Sequence, residues 1–277
     1  MDGSPDPPPP AHAVRHEMTV LSRVAAVLRR TVLPCQCPVC GAAFRAFNPL
    51  PDSYRDELVQ AGSNLSLEAF ETLNAPAYAC PGCGTADRNR LYALALREKL
   101  PRRPRDPFRL LDIAPSGCLA QFIRKNFGIQ YRSADLSMSG VDDFVDITDM
   151  RGYADAEFDA VLCSHVLEHV VDDRRAMREL LRILKPGAWG ILAVPIYLPL
   201  QTLLEETTPL SGAERSRLFG QSDHVRLYGR AGFTSRLEET GFEVARLGID
   251  HFGARTFRTC GIAPSSAVYL ATKPRTD

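Results

Sequence analysis

Residues Phe158 to Pro195, FDAVLCSHVLEHVVDDRRAMRELLRILKPGAWGILAVP, restrict the fold more than any other part of the chain. Phe158 to Cys163 is a short apolar run of the kind found in a buried parallel strand. Met177, Leu180, Leu181 and Leu184 then recur at i, i+3, i+4 and i+7, which predicts a helix with one apolar face. Asp172 and Asp173 suit its N-cap and first turn. Lys185-Pro186-Gly187 is expected to close it, and Trp189 to Val194 reads as a second apolar strand. A strand, a helix and a parallel strand make a right-handed crossover. Ser164, His165, Glu168 and His169 then fall at the carboxyl edge of a sheet, where open α/β folds bind ligands.

The chain has 277 residues, enough for one large domain and a small one. Its net charge is zero, so bulk charge gives no argument for nucleic acid or an anionic membrane. It has no apolar run of about 20 residues. Residues 1–16 are acidic, Pro-rich and without an apolar signal core, and are expected to be a disordered tail in a cytoplasmic protein. Val20, Leu21, Val24, Val27 and Leu28 predict a short helix ahead of the small domain.

Two of the motifs are Cys37-Pro-Val-Cys40-Gly and Cys80-Pro-Gly-Cys83-Gly, in a chain with eight cysteines. Each forms a tight knuckle, with the following glycine permitting the turn. Four thiolates in tetrahedral array select Zn²⁺, in a structural role. Cys35 is an alternative ligand, though its spacing to Cys37 is poor. Tyr54 to Leu73 reads as mostly helical. The run from Leu91 to Leu100 reads as a helix whose preceding Arg88 and Arg90 lie on a solvated or salt-bridged face. The expected division is a tail at 1–16, a helix plus zinc-ribbon-like domain at 17–100, a linker at 101–107 and an α/β domain at 108–277.

The α/β domain opens with a strand, Phe108 to Ile113, carrying Asp112 near its end. The loop Ala114-Pro115-Ser116-Gly117 and a helix from Cys118 to Asn126 follow, a nucleotide-type arrangement without G-x-G-x-x-G. A second strand, Gln130 to Ala134, ends at Asp135, where an acid suits ribose hydroxyls. Val141 to Ile147 carries a third strand with Asp146. Residues 196–228 show little apolar periodicity and read as a lid over a binding site. They carry Glu205, Asp223, His224, Arg226 and Tyr228, with Glu205, Asp223, Arg226 and Tyr228 as candidate substrate contacts. Gly229 to Thr240 reads as a helix, Phe242 to Leu247 and Ala267 to Thr272 as strands, and Gly248 to Ser266 as a long connection between them.

From Phe108 onward this order of elements resembles the class I S-adenosylmethionine-dependent methyltransferases, with SHVLEHVVDDRRAMRELLRILKPGAWGILAVP the most specific piece. More narrowly, CPGCG, RNRL, DIAPSG and FGQSDHVR resemble bacterial zinc-ribbon methyltransferases. The resemblance implies a Rossmann-like seven-stranded sheet in the order 3-2-1-4-5-7-6 with a small N-terminal zinc-binding domain. It also implies cofactor contacts from Asp112, Ala114, Pro115 and Gly117 at the methionine end. Asp135 and Leu136 follow at the ribose, Asp146 and Ile147 at the adenine, and Ser164 and His165 at the sulfonium. His224 is the first candidate for a base, with His169 and His165 behind it. The expected function is O-methylation of a small-molecule or glycan precursor at a hydroxyl or carboxylate. The alternatives are an RNA methyltransferase reading through the zinc domain, for which Arg88, Arg90, Arg102, Arg103 and Arg105 argue, and a non-catalytic zinc-bearing binding protein.

Overall fold

The computed structural model describes residues 34–206 and 208–275. The expected tail and the expected helix around Val24 lie outside them. Strands β1 (Cys35–Gln36) and β2 (Ala43–Phe44) form a small hairpin, followed by helix α1 (Ser53–Gln60) and helix α2 (Asp87–Lys99). The α/β part then runs β3 (Arg109–Ile113), α3 (Gly117–Asn126), β4 (Gln130–Asp135), β5 (Asp143–Phe144), β6 (Phe158–Ser164), α4 (Asp173–Ile183) and β7 (Leu184–Ala193). It continues through β8 (Leu203–Glu205), α5 (Gly212–Phe219), β9 (Arg226–Tyr228), α6 (Arg230–Thr240), β10 (Glu243–Leu247), α7 (Ile249–Phe252), α8 (Ala254–Cys260) and β11 (Val268–Thr272).

The main sheet has seven strands in the order β10-β11-β7-β6-β3-β4-β5. Strands β5, β4, β3, β6 and β7 are parallel, and β11 and β10 add an antiparallel pair at the far edge. This is the expected 3-2-1-4-5-7-6 order. Strand side chains alternate between two apolar layers. Leu111 and Ile113 face α4 and α6, where Ala176, Met177, Leu180, Ile183, Phe233 and Leu237 are buried. Leu110, Ala160 and Leu162 face the other way, onto Leu91, Leu96, Leu119, Ile123 and Phe257 of α2, α3 and α8. With helices on both faces, the carboxyl edge of the parallel strands is the open part of the sheet.

Several expectations are corrected. Helix α4 ends at Ile183, with Leu184 already extended and paired to Phe158. Lys185 to Gly187 therefore bulges out of β7 instead of capping the helix, with Gly187 at φ 77°. Of the stretch from Tyr54 to Leu73 only α1, ending at Gln60, is α-helical, because Gly62 at φ 61° turns the chain and the rest is turns and one short 3-10 element. The third strand shrinks to Asp143–Phe144. Residues 196–228 hold the antiparallel hairpin β8–β9 and helix α5. Helix α5 begins at Ser211, whose side chain and Glu214 close a capping box, a local signal visible as Ser-x-x-Glu. The connection from 248 to 266 contains α7 and α8.

The expected boundary at 101–107 divides the sequence but not the packing, because α2 shares a buried layer with the sheet. Arg90 makes that junction. Its side chain is wholly buried, and each of its five donor hydrogens is aimed at a main-chain carbonyl: Cys260 from Nε, Tyr78 and Thr85 from Nη1, Ala77 and Gly261 from Nη2. The guanidinium also lies 4.0 Å over the Phe47 ring. The solvated face expected for Arg90 is thus an internal rivet between the cysteine module and the end of α8. Each carbonyl left without a donor costs about 1–3 kcal/mol. Arg90→Met is expected to lower stability by more than about 3 kcal/mol in denaturant titration. A loss below about 1 kcal/mol would show that the junction does not depend on it.

Candidate active site

Asp112 sits at the end of β3 with 1% exposure and accepts a hydrogen bond of 2.6 Å from the Tyr131 hydroxyl. Burial pushes its carboxyl up to about 7, against the opposing effects of that hydrogen bond and of Arg124. The next residue but one, Ala114, adopts φ 52°, a conformation that usually falls to glycine. Its amide donates to the Ala134 carbonyl, which holds the loop against β4. Ser116 precedes α3 and accepts from Asn89 of α2 at 2.9 Å, so α2 braces this loop. A Cβ built on Gly117 would meet nothing within 4 Å, so the first turn of α3 faces open space.

At the end of β4, Asp135 receives the amides of Ser137 and Met138, both on Oδ1. Neither of these two amides uses Oδ2. Leu136 beside it is 70% exposed. Asp146 is used locally by the Thr148 amide and hydroxyl. Ile147 is 5% exposed and packed in the core, so only its backbone can flank a ligand. These groups follow the expected line from β3 across β4 to β5. An acid with a free oxygen at the second strand, an exposed apolar residue next to it and an unfilled helix start at the first fit a nucleoside cofactor.

The neighbouring strand ends carry a different chemistry. Ser164 ends β6 and shares a 3.0 Å hydrogen bond with the Tyr92 hydroxyl of α2. His165 follows at φ 59°, another left-handed residue without a glycine. Its Nδ1 lies 3.4 Å from Glu168, and burial, then Arg88, hold its imidazole well below the ordinary histidine range. Glu168 is 1% exposed, and burial pushes its carboxyl up to about 8. His169 Nε2 lies 4.0 Å from the same carboxylate, while its Nδ1 is 3.2 Å from Asp223. The His224 ring stands edge-on to His169 with centroids 4.7 Å apart. Its Nδ1 is 3.2 Å from the Phe219 carbonyl, which can only accept, so that nitrogen carries the proton.

His165, Glu168, His169 and His224 line one cavity of about 310 Å³. Its opposite wall comes from the N-terminal module: Leu50, Tyr54, Leu67, Phe70 and Tyr78. That segment is tied to the α/β part by a bridge between Phe70 and Tyr197 and by the buried Glu71. Glu71 accepts from Arg230, Arg246 and Tyr269. Sequence reasoning missed this wall. Its residues come from a stretch without motif, and nothing local points to their facing β6.

The four candidate substrate residues separate. Asp223 remains beside His169. Arg226 is 2% exposed and donates to Glu205 and to the carbonyls of Leu167, Val170 and Val171. Tyr228 is fully buried and donates to Asp173, and Arg236 joins both acids. Glu205, Arg226 and Tyr228 therefore pin the β8–β9 hairpin to the start of α4, and none of the three lines the cavity. His224 is likewise no exposed lid residue. It is 4% exposed, and burial, then His169, push its imidazole down to about 4, too low for an effective base near neutrality.

The cysteine pairs converge. Cys37, Cys40, Cys80 and Cys83 bring their sulfurs within 4.8 Å of one another, with Sγ–Sγ distances of 3.9 Å for Cys37–Cys83 and 3.8 Å for Cys40–Cys80. Bonds of about 2.3 Å in a tetrahedron place sulfurs about 3.8 Å apart. The knuckle glycines Gly41 and Gly84 take φ 78° and 71°, as the spacing predicts. Cys35 stands outside this group and points its sulfur at the Arg45 carbonyl.

A family profile described as a methyltransferase domain matches residues 85–247, more than half of the chain. The match takes in α2 and begins beyond Cys83. No curated protein matches the chain. Among solved structures, the carbon methyltransferase of CurJ is 18% identical, with a TM-score of 0.43 over 68% of this chain and 53% of that one. The chain thus spans about half the length of that relative. The [4+2]-cyclase SpnF is 17% identical, with a TM-score of 0.45 over 83% of this chain and 98% of its own. A Haemonchus contortus phosphoethanolamine N-methyltransferase, solved with phosphomonomethylethanolamine and S-adenosylhomocysteine, is 18% identical, with a TM-score of 0.44 over 68% of this chain and 53% of its own. None of the described helices is long and apolar enough to cross a membrane.

Proposed function

Because the chain belongs to the methyltransferase-domain family, whose enzymes draw their methyl group from S-adenosylmethionine, we propose that it methylates an oxygen of a small-molecule or glycan precursor. The observation that carries this reading is the cavity of about 310 Å³, closed on one side by the module and on the other by polar strand ends. A cavity of that size accepts a compact organic substrate. It does not offer the extended groove that a nucleic-acid strand requires. Two of the arginines that argued for RNA are turned to other uses. Arg90 is consumed by carbonyls, and Arg88 lines the cavity.

Bound S-adenosylmethionine supplies a methyl group already activated by its sulfonium. The residues that would hold it are Asp112 and the Ala114, Pro115 and Gly117 backbone at the amino-acid end. Asp135 would take the ribose hydroxyls, with Leu136, Asp146 and Ile147 around the base. Ser164 and His165 would stand between cofactor and acceptor, and His165 lines the cavity. The apolar wall from Leu50 to Tyr78 excludes water from the acceptor side. The acceptor oxygen would sit at His165, His169, Glu168 and His224, where its proton is released. The cysteine quartet fits a structural Zn²⁺ that would fix the module carrying this wall.

Asp135→Ala is expected to weaken S-adenosylmethionine binding at least about tenfold by calorimetry, in proportion to the two hydroxyl hydrogen bonds lost; an unchanged affinity would remove Asp135 from the ribose. Asp112 has a carboxyl raised to about 7 in the cofactor-free protein, and its anionic form is the one that attracts the cofactor's ammonium. Affinity should therefore be full above pH 7 and fall as pH drops through it, approaching about tenfold per unit. Asp112→Asn should flatten that dependence. Elemental analysis should find zinc in the cysteine quartet, lost with Cys80→Ser. His224→Ala should cut turnover while leaving cofactor affinity unchanged. Fractionated biosynthetic intermediates incubated with methyl-labelled cofactor test the acceptor directly. Label in an ester that base hydrolyses marks a carboxylate, and label in a base-stable ether marks a hydroxyl. Label appearing only in RNA or on nitrogen would overturn the reading.

A further inference from the structure

We propose that Glu168, His169 and His224 form a divalent-cation site opening on the acceptor cavity, distinct from the cysteine quartet. One donor atom of each side chain lies within 4.8 Å of the other two. Both carboxylate oxygens of Glu168 are buried and neither receives a hydrogen bond. Among the described residues no lysine or arginine forms an ion pair with it, and its near neighbours are imidazoles, His165 at 3.4 Å and His169 at 4.0 Å. Buried carboxylates are found paired or on metal, since burying the charge alone is costly.

The histidines are oriented for ligation. Metal-bound imidazoles characteristically donate their other ring N–H to a carboxylate or a main-chain carbonyl. His169 directs Nδ1 at the Asp223 carboxylate, 3.2 Å away, and His224 directs Nδ1 at the Phe219 carbonyl, also 3.2 Å away. In each ring Nε2 is left with its lone pair. The three side chains come from one turn after β6 and from the end of the segment that follows α5, so both the crossover and the β8–β9 region must be in place to assemble the set. The Arg226 bonds to the Leu167, Val170 and Val171 carbonyls lock those two segments together. Bonds of about 2.0–2.2 Å in a tetrahedron bring ligand atoms about 3.3–3.6 Å apart. His169, at 33% side-chain exposure, has room to close that distance.

Two imidazole nitrogens and one carboxylate favour a first-row ion of the zinc, cobalt or manganese kind over Mg²⁺ or Ca²⁺, which prefer all-oxygen shells. All three residues line the cavity, so an ion held by them keeps its remaining positions on the acceptor side. An acceptor hydroxyl on such a position becomes more acidic. It gives its proton to bulk solvent, the oxygen forms the new O–CH₃ bond, and the S–CH₃ electron pair stays on sulfur. This role rests on the oxygen-methylation reading above; the metal site does not.

The test uses the full chain with its cysteine quartet loaded, washed with a mild chelator and titrated with Co²⁺ alone, without cofactor or acceptor. Calorimetry and visible absorption are read together. One Co²⁺ per chain is expected, with weak d–d bands and none of the intense thiolate-to-cobalt absorption of a sulfur site. Glu168→Gln and His224→Ala should each weaken binding more than about tenfold, and Asp223→Asn about tenfold through His169. Glu168→Gln keeps the size of a buried carboxyl group whose oxygens have no hydrogen-bond partner to lose, so its melting temperature should not fall, and that curve separates lost ligation from lost folding. No Co²⁺ uptake beyond the cysteines, or uptake indifferent to Glu168→Gln in a folded protein, would overturn the site. If Co²⁺ binds as expected but no oxygen is methylated, the site stands and the acceptor reading fails.

Discussion

The five hydrogen bonds of the Arg90 guanidinium are the interaction on which the rest of this architecture depends. They gather carbonyls from the turn before α2, from the second knuckle and from the end of α8 around one buried cation. Lysine has three donors on a tetrahedral centre and cannot reproduce the planar fork. With Arg90 in place, the cysteine module has a fixed position over the sheet, and α2 inherits three tasks. It packs on the sheet through Leu91 and Leu96, braces the loop after β3 through Asn89 and reaches the end of β6 through Tyr92. Glu71 holds the far side of the same module to α6 and to β10 and β11.

The two halves of the site differ in how they are held. On the proposed cofactor side, acids at successive strand ends are positioned by the sheet, and Asp135 is set by its own turn. Around the cavity, groups come from several separate segments and are brought together by buried polar links. Backbone conformation marks the boundary: Ala114 and His165, without glycine's freedom, both take left-handed values at adjacent strand ends. Conformations of this kind cost about 1–3 kcal/mol and persist where the surroundings over-determine them. Here β4 holds the first and the Ala193 carbonyl holds the amide of the second.

Much of this was legible in the sequence wherever the signal was local. The apolar runs of β3, β6 and β7 and the amphipathic face of α4 determine the crossover, and Asp112 and Asp135 follow from strand ends. The cysteine spacing with its glycines anticipates the knuckles. What was not legible depends on distant partners. Arg226 and Tyr228 look like free functional groups in DHVRLY, yet their partners are Asp173 and Glu205, far off in the chain. Arg90 looks like half of a solvated pair. Glu168 reads as one polar residue among several, and only burial by His165, His169 and the module makes it unusual. The helix at α5 was missed for a different reason: its capping box was local, but a short helix with little apolar face leaves almost no periodicity.

The arm between the knuckles, from Cys40 to Cys80, begins and ends at the same four sulfurs. Closing a flexible loop costs entropy that grows only with the logarithm of its length, and here the closure is set by the quartet. Between its further fixed points at Phe47, Glu71 and the Ala77 and Tyr78 carbonyls, the arm can therefore lengthen, shorten or change its apolar side chains without loosening either attachment. A change in the stretch between those points alters the cavity wall at Leu58 and Leu67 while the sheet and the polar strand ends stay constant.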